Sequence, residues 1–589
     1  MSLAGILGVL EEAGLIQAVH HSQEAEFQFR HELIHATTYA SLLKSDRRSL
    51  HLTVGEALEH AHEGLHGDQA AVIARHFDEA GADERAFDYY LQAGDEAAGR
   101  YANAEAALHY SHALEIARKG RMDTEILQKL YLSLGRELEL EGRYREALAI
   151  YRQMQADAQA LANQELKFSA IMAHAKIYAT PNPEQNPTLA RQLLEEALAY
   201  TRQVRDQAGE ARVLWNLLVL NVYGGGDYVQ AIQMGEQALV LARENNLEEL
   251  SAFILNDLTY AFFGSDQTLR AQETQREAAK LWRKSANLPM LVDSLSISVP
   301  IAYLLGDYER AISESEEALE LSLKAGNQWG QAGSLAFTGL IHHELGLIDQ
   351  GLATYQQAYE LGKITKHRGA FIAGRSFLAW LLADLGDVNQ AFKIANQAYQ
   401  DALASQTLHL SGWVLMIMIH LHLRNNNLPE AEAALHSLRQ VDTITGLRWF
   451  TPIFTPLGEA EIFLKHHDYS STIRTVDKLI KYLEQTGIRT FASDALALKS
   501  QAQAGLGNHE EAWQTLQFAK QVAEELGSRR SLWPILARLA RISEANGDHK
   551  MAQQLRSGTR QVLQYIIDHI SSVDLRISFS NRPEVREHL

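Results

Sequence analysis

The chain has 589 residues, and its 54 Lys and Arg against 73 Asp and Glu leave a formal net charge of −19. That balance argues against non-specific binding to nucleic-acid phosphates or to an anionic membrane surface, both of which need a basic face. Cysteine is absent, which excludes disulfides, thiol catalysis and cysteine-ligated metals, and only 10 residues are proline. The longest strongly apolar stretch noted, residues 412–419 (GWVLMIMI), is far short of the ~18 needed to span a bilayer. Residues 1–10 show neither a basic n-region nor a cleavage site. A soluble, acidic, helical and cytoplasmic protein is expected.

In chain order, residues 1–66 stand apart. Residues 7–16 predict a short amphipathic helix, and residues 26–30 (EFQFR) alternate like a strand. Helices are predicted over 31–43 and from 47 to about 63. Eight of the 25 histidines fall here: His20, His21, His31, His35, His51, His60, His62 and His66. His31-Glu32-Leu33-Ile34-His35 matches H-E-x-x-H, which on a helix sets two imidazoles on one face with a carboxylate to activate water. The longer metzincin pattern fails, because Thr38 and Ser41 stand where Gly and the third His belong. A third ligand from the next helix, His51 or Glu56, stays open. The competing reading is packing, with scattered surface histidines and no metal, and it is the one adopted. No cofactor is expected.

Beyond residue 66 one phrase recurs: Gly, any residue, a bulky residue, two polar residues, Ala. It occurs as GRYREA (142–147), GDYVQA (226–231), GDYERA (306–311), GDVNQA (386–391), GNHEEA (507–512) and GDHKMA (547–552). Weaker copies, such as GLIDQG (346–351), NNLPEA (426–431) and HDYSST (467–472), fill the gaps. The final small residues are Ala106, Ala147, Ala190, Ala231, Ala271, Ala311, Gly351, Ala391, Ala431, Thr472, Ala512 and Ala552. From Ala231 to Ala431 they fall every 40 residues, and elsewhere every 40–43. Twelve copies predict twelve helix hairpins, each with Gly at a left-handed turn and an apolar stripe starting at the small residue. Nearest-neighbour stacking predicts local unfolding, repeat by repeat.

The pattern resembles the tetratricopeptide repeat, with Trp215, Gly226, Tyr228, Ala231 and Ala238 in its signature places, and Ala106, Tyr110 and Ala113 in another copy. The resemblance implies an all-α, right-handed superhelical solenoid with a period near 40 rather than the usual 34, preceded by a small winged-helix-like remnant. The expected organisation is 1–66 as that ATPase-linking segment, 67–118 as the first hairpins, 119–556 as the superhelix and 557–589 as a C-terminal helix and tail. Residues 27–59, 73–110 and 574–589 are similar to segments of bacterial signal-transduction ATPases of the kind attached to adenylate or guanylate cyclases, Ser/Thr kinases or transcription activators. Phe29, Arg30, His31, Tyr39, Arg48 and His51 carry the first match. No GxxxxGK[ST] phosphate loop occurs, so the engine of such an ATPase is absent, and an upstream ATPase domain in a parent protein is expected.

In tetratricopeptide stacks the first helix of each hairpin lines the concave face. Counting back from the small residues places Asn216, Leu220 and Tyr223 there, then Phe253, Asn256, Tyr260 and Phe263, then Asp293, Ser296 and Tyr303. Asn216 and Asn256 fall on one position a repeat apart, a ladder suited to the backbone of an extended peptide. The other reading is ordinary inter-helix packing. Lys and Arg are missing from these positions, which counts against an acidic C-terminus as ligand. The expected function is a non-catalytic scaffold that binds a protein or peptide, the sensor arm of a signalling ATPase. The alternatives are a small-molecule inducer sensor and, more remotely, a zinc hydrolase at His31 and His35.

Overall fold

A computed structural model describes residues 2–19, 26–61, 69–100, 102–120, 123–180, 182–224, 227–324, 328–404, 408–445 and 450–589. His20, His21, His62, His66 and the glycine Gly226 of the repeat phrase lie outside these residues. Among the described residues there are 30 helices and one two-stranded sheet, and the chain divides into two compact units, Met1–Leu193 and Leu194–Leu589.

The first unit opens with α1 (Leu3–Glu12), which starts on a Ser2 cap and gives way to Gly14 at φ 68°. The helix therefore begins and ends earlier than the 7–16 predicted, because Gly14 supplies the left-handed turn into β1 (Ile16–Ala18). β1 pairs antiparallel with β2 (Phe27–Phe29), with Ile16 opposite Phe29. The helices α2 (Glu32–Ser41) and α3 (Lys44–Ala61) follow, and hairpins begin with α4 (Gln69–Ala80), α5 (Asp83–Gly99) and α6 (Asn103–Gly120). One core runs from Phe77 through Tyr110 and Tyr131 to Tyr151 and Ile177.

The second unit repeats one design. Its first helices are α11 (Gln207–Gly224), α13 (Glu248–Gly264), α15 (Leu288–Leu305), α17 (Gln328–Glu344), α19 (Arg368–Asp384), α21 (Leu408–Arg424), α23 (Thr451–Lys465), α25 (Ala492–Gly505) and α27 (Arg529–Ala545). Each is followed by a second helix; α12 (Tyr228–Glu244), α14 (Thr268–Ser285), α16 (Tyr308–Lys324) and α18 (Ile348–Ile364) are examples. The turn between partners is left-handed, at Gly306 (φ 76°), Gly346 (72°) and Gly386 (89°). Where the glycine is lost, Asp266, Asn426 and His467 adopt the same conformation, at φ 64°, 51° and 61°. Asp and Asn tolerate it because a short polar side chain bonds locally.

The small residue of each phrase is buried: Ala231, Ala271, Ala311, Ala391 and Ala431 are all 0% exposed. Aromatic rings of second helices press on glycines of first helices; an added Cβ on Gly339 would fall inside the ring of Tyr355. First helices of successive hairpins pack directly on each other, as α15 does on α17 and α17 on α19, so they form the inner wall. Second helices sit outside, linked by exposed pairs such as Arg243–Glu277 at 2.5 Å and Arg283–Glu317 at 2.7 Å.

The wall also curls back on itself. Arg489 N–H donates to Leu304 O at 2.8 Å, and Thr490 Oγ1 lies 3.2 Å from the Tyr308 hydroxyl. Forty residues on, Ser528 and Arg530 meet Glu344, with Arg530 Nε 2.8 Å from its carboxylate. Further along, Arg582 donates to the Asp384 carbonyl, and Asp349 accepts from Ser571. Nearest-neighbour unfolding is therefore corrected for this unit, since its repeats are also tied across nearly two hundred residues. One helix among the described residues, α15, is long and apolar enough to cross a membrane, and 67% of it is buried in the stack. It exceeds the apolar stretch at 412–419 that the sequence reading singled out, with Asp293 its one charged residue.

Candidate functional site

The inner wall of α11, α13 and α15 carries the predicted residues, and the structure divides them into two groups. Asn216 (7% exposed), Leu220, Phe263 and Tyr303 are buried between helices. Asn216 spends its amide on the Arg212 carbonyl at 2.9 Å, and Tyr303 lies edge-on to Phe491 with its hydroxyl 3.3 Å from Glu344. Tyr223, Phe253, Tyr260, Asp293 and Ser296 reach solvent at least in part. Asn256 is buried, and its Nδ2 donates to Asp293 at 2.8 Å. Asn216 thus bonds the backbone of its own helix, and Asn256 bonds a side chain of the next inner helix. They do not form an open amide ladder, because both side chains are buried.

The accessible stripe reads Trp215 and Tyr223 on α11, Phe253, Asp257 and Tyr260 on α13, and Asp293 and Ser296 on α15. Trp215 Nε1 donates to Asp257 at 2.6 Å and its ring lies 5.2 Å from that of Phe253. Tyr260 donates to Asp293 at 3.4 Å, and the rings of Tyr223 and Tyr260 are 6.2 Å apart. Burial pushes the Asp257 carboxyl up to about 7, against the hydrogen bond from Trp215 and helped by neighbouring Asp293. Burial raises Asp293 as well, opposed by its bonds from Asn256 and Tyr260. Two carboxyls on successive inner helices are thus held reluctant to ionise. Sequence reasoning missed Trp215 and Asp257. The available signal was a lone acid inside an apolar helix, FILNDLTYAFF for Asp257 as for Asp293.

A second concavity opens further along the same unit, where the wall curls back. Residues of α19, α21, α23, α25, α27 and the tail enclose about 440 Å³, with Trp380, Phe454, Phe491 and Trp533 on its walls. At its edge Asp384 is held well below the usual carboxylate range. Burial alone would raise it, but Arg424 and the bonds from His343 and His420 outweigh burial. None of the ten predicted residues lines this cavity.

In the first unit His31 sits at the start of α2, and the exposed His35 ring lies 5.2 Å from Phe29. His51 meets Tyr39 at 2.9 Å on one side and His76 at 2.9 Å on the other. Among the described residues no three His, Asp or Glu side chains gather as metal ligands.

Paired helices repeating every 40 residues, with small residues nested at fixed positions and inner helices lining the wall, define a tetratricopeptide-type solenoid. The profile of the MalT-like TPR region matches residues 209–542, more than half of the chain, and the chain belongs to that family. It is 32% identical over 149 residues to tetratricopeptide repeat protein 29 of Trypanosoma brucei brucei (strain 927/4 GUTat10.1), covering 25% of this chain and 30% of that one. An uncharacterized protein of Rhizobium meliloti (strain 1021) is 29% identical over 115 residues, 20% of this chain and 11% of the relative. The matched stretches thus span under a third of either curated relative. Among solved structures, the Cut9–Hcn1 hetero-tetramer of APC/C aligns over 94% of this chain and 98% of that chain, at 13% identity and TM-score 0.47. NprR in complex with its cognate peptide NprX aligns over 62% and 99%, at 12% identity and TM-score 0.45.

Proposed function

We propose that this chain is a non-catalytic binding arm that takes a protein or peptide on the inner wall of α11, α13 and α15. The observation that carries the reading is the placement of Asp257 and Asp293 on successive inner helices, each bonded by an aromatic side chain and flanked by partly accessible rings. Peptide N–H groups and basic side chains suit such carboxyls, and rings supply the apolar anchors that dominate binding. The net charge of −19 favours the same basic class of partner and disfavours nucleic acid or an anionic membrane. The arm would serve a cytoplasmic signalling ATPase; the similarity of residues 27–59, 73–110 and 574–589 to such proteins supports that role. Panning a random peptide library against the full chain and against Tyr260→Ala and Asp293→Asn variants tests the binding face. Sequences joining Lys or Arg to an aromatic should be enriched on wild type and lost on the variants. Equal enrichment on all three would end the reading.

A further inference from the structure

The cavity of the second unit holds more positive charge than its geometry uses. Arg530 makes a two-pronged contact with Asp494, at 3.0 and 2.8 Å, and a third bond to Glu344. Arg424 pairs with Asp384 at 2.5 Å and is further favoured by Glu461. Arg582 reaches Glu584 at 2.7 Å as well as the Asp384 carbonyl. Three of the five guanidiniums are therefore answered.

Arg538 and Arg541, one turn apart on α27, are not. Both line the cavity, and among the described residues no carboxylate lies within ion-pair distance of either. Arg538 is enclosed enough that burial, aided by Arg541, pushes it down to about 10. Arg541 is exposed and adds repulsion from the rim, whereas Arg538 carries its charge into the cavity with no carboxylate bonded to it, which raises the energy of the empty site. An anion seated between them would remove that repulsion and gain charge-assisted hydrogen bonds.

One side of the cavity is aromatic, while Asp384, Glu461, Asp494, Glu584 and Gln501 share the remaining lining with the arginines. Trp380 and Phe454 meet edge to face at 5.7 Å, and Phe454 packs on Phe491 at 5.0 Å. Among the described residues the buried Trp380 Nε1–H finds no acceptor. At about 440 Å³ the space falls in the range of small-molecule pockets, roughly 300–1,000 Å³, and an inorganic ion alone would leave most of it unfilled.

We infer that this cavity binds a small organic anion, a carboxylate or phosphate carried on an apolar body, with Arg538 as the anchor and the aromatic wall receiving the body. The site is separate from the stripe on α11, α13 and α15, and it takes a different class of ligand.

Calorimetric titration of the full chain tests the assignment with octanoate, octyl phosphate, octanamide and inorganic phosphate. At least one of the two organic anions should bind ten times or more tightly than the neutral amide and than inorganic phosphate. The stronger of the two identifies the head group. Arg538→Gln should weaken that binding tenfold or more, while Arg538→Lys keeps most of it. Melting curves superimposable with wild type show that the variants fold. If Arg538→Gln unfolds, the comparison of anion with amide on wild type decides alone. Equal affinity for octanoate and octanamide, unchanged binding by folded Arg538→Gln, or no binding by either organic anion would overturn the inference.

Discussion

The hydroxyls of Tyr308 and Thr490 meet at 3.2 Å although 182 residues separate them. Both are buried, and Thr490 also donates to the Tyr303 carbonyl. Removing the phenol oxygen in Tyr308→Phe should cost about 0.5–1.5 kcal/mol, the net worth of one hydrogen bond. Combined with Thr490→Val, the loss should be less than additive in urea titrations. Hydrogen exchange should speed up in α16 and α25 together; loss of protection in α16 alone would show that the seam does not couple them.

One row further along, Glu344 is 1% exposed and bonded to Arg530, Ser528 and Tyr303. Arg530→Ala strips the charge from beside a buried carboxylate and should destabilise the second unit by about 3–5 kcal/mol. Adding Glu344→Gln removes the orphaned charge and should restore a good part of that. Denaturation midpoints of the single and double variants settle the matter, and an equally poor double variant would count against the ion pair as the cause.

Glycines under aromatic rings give a third expectation. A Cβ on Gly135 would fall inside the ring of Tyr151, as one on Gly339 would inside Tyr355. Gly135→Ala and Gly339→Ala should each lose about 1–3 kcal/mol through overpacking. At Gly558 the nearest atom is 3.6 Å from the added carbon, so Gly558→Ala should instead gain about 0.5–1 kcal/mol from helix propensity. Thermal melts of the three variants should therefore shift in opposite directions.

Asp257 sets a pH dependence whose sign follows from its raised pKa. Burial pushes its carboxyl up to about 7 in the folded chain, against 3.8 for an ordinary aspartate. Between those values the unfolded chain has released a proton that the folded chain retains, so this residue's contribution to stability falls as pH rises from about 4 to 7 and is level above. Asp257→Asn can still accept from Trp215 and lacks that slope. It should be the more stable protein at pH 8, by about 1–2 kcal/mol after allowing for solvent access, and match wild type near pH 4. Urea titrations at the two pH values check it; a variant less stable at both would mean that the carboxylate is favoured where it stands.

The repeat was legible because its determinants are local. Glycine at a left-handed turn and alanine at a close helix approach act within a few residues, so Gly306 and Ala311 could be read from composition and spacing. The phase of the inner face was less legible. A face counted from the small residue selected Asn216 where Trp215 reaches the surface, and Asn256 where Asp257 does. One residue on a helix is 100° of rotation, enough to move a side chain from groove to interface. The seam and the cavity were not legible at all. They depend on how small rotations between hairpins accumulate over several repeats, and no single repeat records that sum.

The seam turns the number of hairpins into a ruler. About four and a half periods separate Tyr308 from Thr490, and Glu344 with Arg530 reads the next mark on the same scale. An open solenoid can lose a hairpin and rejoin, because every neighbour is interchangeable. Excising 40 residues anywhere between those marks would leave each remaining hairpin intact but shift every partner across the seam by one notch, setting Arg530 against the wrong coil and opening the cavity wall. Such a deletion would fold locally and fail globally, so over this interval the chain's length is itself a specified quantity.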